Sequence, residues 1–262
     1  MTTTPVVETH GLAKNYDGFA ALAGIDLVVH PGEVLGYIGP NGSGKSTTVK
    51  ILTGLLPSFD GEARVAGFDV RTAPIEVKRR IGYVPEQAQL YDALTPLELL
   101  TFVERMHDLD ERHAHDRGFA LLEAFGLHDR ARLRIGSLSK GMKQKVLFCT
   151  ALLHDPAVLF LDEPLSGLDV NAVILAKELI RQLADAGKAV FYCSHVMDVV
   201  ERVCDRIVLI TRGAIVAQGT FAELAQRADE TRLEAVFSQL TGGGGEAEQA
   251  RRIVSVLRET AP

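Results

Sequence analysis

The feature that most limits what this chain can fold into is the run Gly39-Pro40-Asn41-Gly42-Ser43-Gly44-Lys45-Ser46. It follows the apolar residues Val34, Leu35, Tyr37 and Ile38 and precedes Thr47-Thr48-Val49-Lys50-Ile51-Leu52, which reads as a helix. Strand, glycine-rich turn and helix in that order fit the G-x-x-x-x-G-K-[ST] phosphate loop. Glycines let backbone N–H groups turn inward around an anion without a Cβ clash. The helix starting near Gly44 adds the positive end of its dipole. Lys45 supplies a point charge for outer phosphates, and Ser46 a hydroxyl for Mg²⁺. The motif predicts nucleotide binding and leaves the use of the nucleotide open.

With 262 residues the chain is long enough for one large α/β domain or two modest lobes. A net charge of -6 argues against a general nucleic-acid binder. Cys149, Cys193 and Cys204 match no disulfide or zinc spacing, so reduced thiols in or near a core are expected. Met1-Thr2-Thr3-Thr4-Pro5 has neither the basic region nor the apolar stretch of a secretory signal. No run approaches the ~18 uninterrupted apolar residues of a spanning helix. Any membrane role is therefore expected to come through a partner.

Residues 6–10 and 25–29 read as strands flanking a loop with Tyr16 and Gly18. Beyond the phosphate loop, a strand over 62–65, a short helix over 74–80 opened by Pro74, and a strand over 81–84 follow. Residues 95–127 change to helical spacing, with Leu97, Leu100, Phe119, Leu122 and Phe125 in register. They read as a helical lobe, about 87–140, inserted in an α/β core. A helix over 140–153 precedes 157–161, an all-apolar run of the kind a central parallel strand needs. The pattern then predicts a helix over 171–186, a strand over 189–193, a helix over 197–203 and a hairpin of 207–210 with 214–218. Residues 231–262 read as a tail of two weak helical segments joined flexibly at Gly242 to Gly245.

A second motif, Leu161-Asp162-Glu163-Pro164, closes the apolar strand with adjacent carboxylates. At the C-terminal edge of a parallel sheet such a strand delivers them beside the phosphate loop. Successive strand residues point in opposite directions, so the two acids need not share a task. Asp162 is placed to hold Mg²⁺ through its water shell, and Glu163 to orient and deprotonate an attacking water.

A third stretch, Leu138-Ser139-Lys140-Gly141-Met142-Lys143-Gln144-Lys145, puts a serine before a helix. That serine suits an N-cap, and the free N–H groups of a helix start also suit an anion. Here the chain resembles the ABC ATPase family, whose signature reads L-S-G-G-Q. The motifs stand in that family's order: Tyr16, residues 39–46, Glu86-Gln87, residues 138–142, residues 161–164, Ser166-Gly167-Leu168-Asp169, and His195.

The resemblance implies a P-loop NTPase core of α/β class within 1–230, with a mostly parallel sheet, an N-terminal antiparallel β subdomain and the helical lobe. It implies ATP and Mg²⁺ as ligands, with Tyr16 stacking on adenine and residues 39–46 plus Thr47 holding the phosphates. Ser139, Lys140, Gly141 and Met142 would close over the nucleotide of an opposite subunit, and Asp169 would link the two sites. His195 would contact the γ-phosphate. Lys140 and Met142 depart from the family's pattern, and Lys140 either adds charge near the phosphates or points away. Glu86 stands where glutamine is usual, leaving either Glu86 or Gln87 to sense the metal.

The L-S-K-G-M variant and the tail Leu233-Glu234-Ala235-Val236-Phe237 resemble exporter-type subunits. The partners implied are an integral-membrane permease docked near residues 86–100 and a second ATP-binding subunit, with a homodimer permitted and no nucleic acid. Such a subunit is cytoplasmic and peripheral at the inner face of the cell membrane. The alternatives are a soluble ABC ATPase acting on nucleic acid or ribosomes, and a phosphate-loop kinase or GTPase. The last would leave residues 138–142 and His195 unexplained, and no Asn-Lys-x-Asp guanine motif is present.

Overall fold

The computed structural model describes residues 4–87, 89–195 and 197–241, together with 251, 252 and 255. The joint expected at Gly242 to Gly245 lies outside the described residues. The chain opens with a hairpin of β1 (Val7–Tyr16) and β2 (Phe19–Val29), then β3 (Val34–Ile38) and α1 (Lys45–Leu52). β4 (Asp60–Val65), β5 (Phe68–Asp69), α2 (Pro74–Lys78) and β6 (Ile81–Val84) follow. α3 (Pro96–Met106) and α4 (Glu111–Ala124) form the helical lobe and lead to α5 (Lys140–Leu152). Strands and helices then alternate through β7 (Val158–Asp162), α6 (Val170–Asp185), β8 (Ala189–Cys193), α7 (Met197–Val203) and β9 (Arg206–Thr211). β10 (Ala214–Gly219), α8 (Phe221–Ala228) and α9 (Leu233–Thr241) complete the described chain.

Two sheets result. The first runs β2-β1-β4-β5 and is antiparallel throughout. The second runs β10-β9-β3-β8-β7-β6, parallel except for its β9–β10 edge. The α/β core, the antiparallel N-terminal sheet and the inserted helices are those the sequence implied.

Strict alternation along the central strands explains their all-apolar composition. Leu159, Leu161, Val190, Tyr192, Ile207 and Leu209 join the core layer that carries the lobe and the C-terminal helices. Val158, Phe160, Ala189, Phe191, Val208 and Ile210 join the opposite layer, shared with α1 and the antiparallel sheet. A strand covered on both faces has no polar position to spare. Each large side chain so buried contributes about 1.5–3 kcal/mol.

The first hairpin differs from expectation. Its strands run through to Tyr16 and Phe19, which pair directly across a turn at Asp17 and Gly18 with φ of 44° and 91°. Register shifts after Thr9, Leu12 and Lys14 break the period-two pattern while pairing continues, so the strands looked shorter than they are. Leu233 and Val236 of α9 are fully packed into the lobe-side layer, so the beginning of the tail belongs to the globular body.

The lobe meets the core at two stacked imidazoles. His107, at the C-terminus of α3, lies 3.9 Å from His154, just beyond α5, with the rings 21° apart. His154 donates from Nε2 to the Ile81 carbonyl at 2.8 Å, which leaves Nδ1 buried with no hydrogen-bond partner. Around the pair stand Arg79, ion-paired with Asp108 at 2.7 Å, and Asp155. A proton on Nδ1 would be enclosed and unpaired. Burial, with His107 alongside, lowers the His154 pKa to about 4, and burial and Arg79 lower that of His107.

Because the unfolded chain takes up these protons first, stability is complete above the ordinary histidine value of 6.5 and falls with pH toward about 4. After allowance for partial exposure the His154 contribution is on the order of 1–2 kcal/mol. Urea titrations across that range should show the loss. His154→Gln, whose amide can still reach Ile81, should flatten the profile; an unchanged slope would refute the account.

Candidate functional site

Three adjacent parallel strands deliver the site. Tyr37 of β3 pairs with Cys193 of β8, which pairs with Asp162 of β7, so all three stand level near one sheet edge. The loops beyond them hold residues 39–46, Ser194 with His195, and Glu163. The C-terminal edge of a parallel sheet is where ligands approach in open α/β folds.

Residues 39–44 turn from β3 into α1, whose first turn carries neither a side-chain cap nor an acidic residue. Its leading N–H groups and dipole are therefore available to an anion. Gly44, before the helix, has φ of 110°, a conformation that strongly favours glycine. The Lys45 ammonium donates to the carbonyls of Gly39 at 2.6 Å and Pro40 at 3.1 Å, which fixes it across the loop.

Asp162 is nearly buried, and alternation along β7 turns it to the face that carries α1. Burial, then the Glu163 and Glu86 carboxylates, raise its pKa, partly offset by Lys45 and a hydrogen bond with the Ser46 hydroxyl. Glu163 has φ of 49°, and its N–H donates to the Cys193 carbonyl at 2.9 Å. Both its carboxylate oxygens are held. Ser194 donates its hydroxyl at 3.0 Å, and Nδ1 of His195 lies 2.7 Å away. The acid is 13% exposed and the imidazole 72%, so the pair projects a ring over a sheltered carboxylate.

One cleft is lined by Gly39, Pro40, Asn41, Lys45, Ser46, Glu86, Asp162, Glu163 and His195. Its neighbour runs along the other side of the phosphate loop, past Gly42, Gly44 and Thr47, to Tyr16 and Phe19 at its mouth. A third groove places Gln87 with Glu86, Ser46 and Asp162. The arrangement can cradle a polyphosphate, hold a cation at Asp162 and Ser46, and offer a base at Glu163.

Ser139, Lys140, Gly141 and Met142 line none of these clefts. Ser139 caps α5, its Oγ accepting from the Met142 N–H at 3.2 Å. Asp169 caps α6 in the same way, accepting from Ala172 at 2.9 Å. Lys140 turns toward its own chain and donates to Ser166 at 3.0 Å.

Comparison with known proteins gives a consistent result. Residues 22–166, more than half of the chain, match the family described as ABC transporter. The linearmycin resistance ATP-binding protein LnrL of Bacillus subtilis is 36% identical over 222 residues, covering 85% of this chain and 71% of that one. The chain belongs to the ABC transporter family. The daunorubicin/doxorubicin resistance ATP-binding protein DrrA of Streptomyces peucetius is 38% identical over 226 residues, covering 86% of this chain and 68% of that protein. An uncharacterised ABC transporter ATP-binding protein of Synechocystis is 36% identical, and the match spans 64% of its length. The solved structure of an ATP-binding subunit of an ABC transporter overlays with a TM-score of 0.85 at 31% identity, covering 90% of this chain and 99% of that one. A dimeric ATP-binding cassette bound to ADP and phosphate, 24% identical with a TM-score of 0.76, shares the fold.

Two side chains of this ABC transporter chain escaped the sequence reading. Phe19 is exposed beside Tyr16 because a two-residue turn makes them cross-strand partners, and Asp17-Gly18 was the available signal. Ser194 holds Glu163 from the strand next door, a long-range contact with no local signature.

The geometry at Gly44 makes one clear prediction. A Cβ there would stand 2.7 Å from the Ala21 carbonyl oxygen and from Leu22 Cδ2. Left-handed backbone already costs an L-residue about 1–2 kcal/mol. Gly44→Ala should lower the melting temperature and weaken nucleotide binding at least tenfold, read with a fluorescent ATP analogue. Wild-type affinity would contradict it.

Proposed function

We propose that this chain is the ATP-binding and ATP-hydrolysing subunit of an ABC transporter, powering a separate transmembrane permease by ATP-driven closure of a dimer. The observation that carries the reading is the gathering of Lys45, Ser46, Asp162, Glu163 and His195 around one cleft while residues 139–142 stand outside it. In this reading one chain supplies half of each nucleotide site at this cleft, and residues 139–142, which do not line it, supply the other half to a second copy. All motifs occur in each copy, so two identical subunits would complete two sites.

In this reading Tyr16, with Phe19 beside it, packs on the adenine ring, and the loop of residues 39–47 takes the phosphates on its free N–H groups. Lys45 takes the outer phosphates, exchanging its bonds to Gly39 and Pro40. Glu163 accepts a proton as a water oxygen attacks the γ-phosphorus. The bond from that phosphorus to the β–γ bridging oxygen breaks, leaving ADP and phosphate. His195 steadies Glu163 and reaches the γ-phosphate, and Ser139 and Gly141 of the second copy close over it. Asp169 links the two sites.

Asp162 and Ser46 fit Mg²⁺: a carboxylate beside a hydroxyl, raised in pKa by burial and then by two further carboxylates, is an oxygen site whose repulsion a divalent cation would relieve. When bound, Mg²⁺ neutralises phosphate charge. Glu86, whose charge reaches Asp162, is the better placed of Glu86 and Gln87 to respond to it.

The permease docks on the lobe and the adjoining groove, where Tyr91 and Phe102 meet edge to face at 6.4 Å and Met106 is 65% exposed. Among the described residues no helix is long and apolar enough to cross a membrane; in this reading the partner supplies the spanning part. The chain works in the cytoplasm at the inner face of the cell membrane. The resistance relatives support export as the direction.

Lys45→Ala should lower ATP turnover by at least ~10²-fold, because the outer phosphates lose their cation. Near-normal phosphate release would overturn the assignment. Glu163→Gln should bind ATP yet hydrolyse it at least ~10²-fold more slowly, accumulating a dimer in size-exclusion chromatography with ATP. Normal hydrolysis by this variant would remove Glu163 from the role of base.

A further inference from the structure

The start of α5 is fastened to the loop that carries Glu163 in the same chain. Lys140 Nζ donates to Ser166 Oγ at 3.0 Å. Its aliphatic stem crosses Gly167 so closely that a Cβ there would meet Lys140 carbons at 2.8 to 3.1 Å. One turn on, the buried Gln144 amide donates to the Pro164 carbonyl at 3.1 Å. Ser166 is bonded at its other end as well, its N–H donating to the Glu163 carbonyl at 3.1 Å. Lys140 is therefore two hydrogen bonds from the backbone of Glu163, at a residue held in the left-handed region. Loop 163–168 is gripped from one side by β8 and from the other by α5.

We propose that Lys140 is a positioning residue that acts within its own chain: it braces loop 163–168 so that Glu163 keeps its orientation when α5 is engaged by the second subunit's nucleotide. This rests on the functional reading above and assigns the side chain a task the family resemblance left open. The ammonium is spent on Ser166, and the methylenes fill the space over Gly167, where only a glycine leaves room. A nucleotide that settles on the N-terminus of α5 in one subunit thereby presses on Glu163 of that same subunit, which serves the other site. Lys140 gives the two half-sites a mechanical connection through loop 163–168.

The test uses this chain and three variants. Lys140→Met keeps the stem and removes the ammonium, and Lys140→Arg restores a donor. A brace predicts that Lys140→Met lowers kcat about three- to tenfold, the range of one lost hydrogen bond of ordinary strength. It also predicts a KM for ATP within twofold of wild type, an unchanged melting temperature, and recovery of at least half the rate in Lys140→Arg. The third variant carries Lys140→Met together with Glu163→Gln and reports ATP-driven dimer formation without turnover. A brace leaves its ATP midpoint equal to that of Glu163→Gln alone. A midpoint or KM raised tenfold would show that Lys140 acts on the opposite subunit's phosphates and would overturn the proposal, as would wild-type kcat in Lys140→Met. Absence of ATP hydrolysis by the wild-type chain would instead strike the functional reading.

Discussion

Strands β3, β8 and β7 lie side by side with both faces covered, so their side chains are almost all apolar. Polar chemistry is therefore pushed to the strand ends, where the sheet stops and backbone groups are no longer paired. Three adjacent parallel strands end level, so three loops distant in sequence meet within one cleft. The phosphate loop, the carboxylate pair and the histidine are neighbours because Tyr37, Cys193 and Asp162 share a register. A slip of one residue in β7 would turn Asp162 to the wrong face and carry Glu163 with it.

Charge at that edge is unbalanced by design of the fold. Asp162, Glu163 and Glu86 converge, and Lys45 is the nearest offsetting cation. Burial, and after it this repulsion, raise the proton affinity of Asp162. Ser194 and His195 relieve it at Glu163 by direct hydrogen bonds, which leaves Asp162 with the hydroxyl of Ser46. Two adjacent acids thus occupy different surroundings, one sheltered and strained by like charge, the other pinned at both oxygens. That difference in surroundings follows from where the strand ends.

Much of this was legible from residues alone. The phosphate loop and the apolar strand before Asp162 are local patterns, each with a mechanism that restricts composition, and both stand where they were expected. The extent of the first hairpin was hidden because bulges disrupt the alternation on which strand reading depends. The orientation of Lys140 could not be read, since its partner Ser166 is 26 positions away and reaches it only through packing of α5 on the loop. For the same reason the stacking of His107 on His154 left no trace in sequence: each lies just past a helix end, and their meeting depends on how the lobe docks. Residues 233–237 lie in a stretch that read as the start of a tail, and Leu233 and Val236 are packed into the body.

The two bonds that hold Lys45 to the carbonyls of Gly39 and Pro40 have a consequence for selectivity. An ammonium already satisfied by its own loop gains only the difference between an anionic oxygen and a neutral carbonyl when a ligand arrives. Under the proposed function, a ligand without a charged outer group would gain little from that exchange, and the competitor it would have to displace is the chain's own backbone.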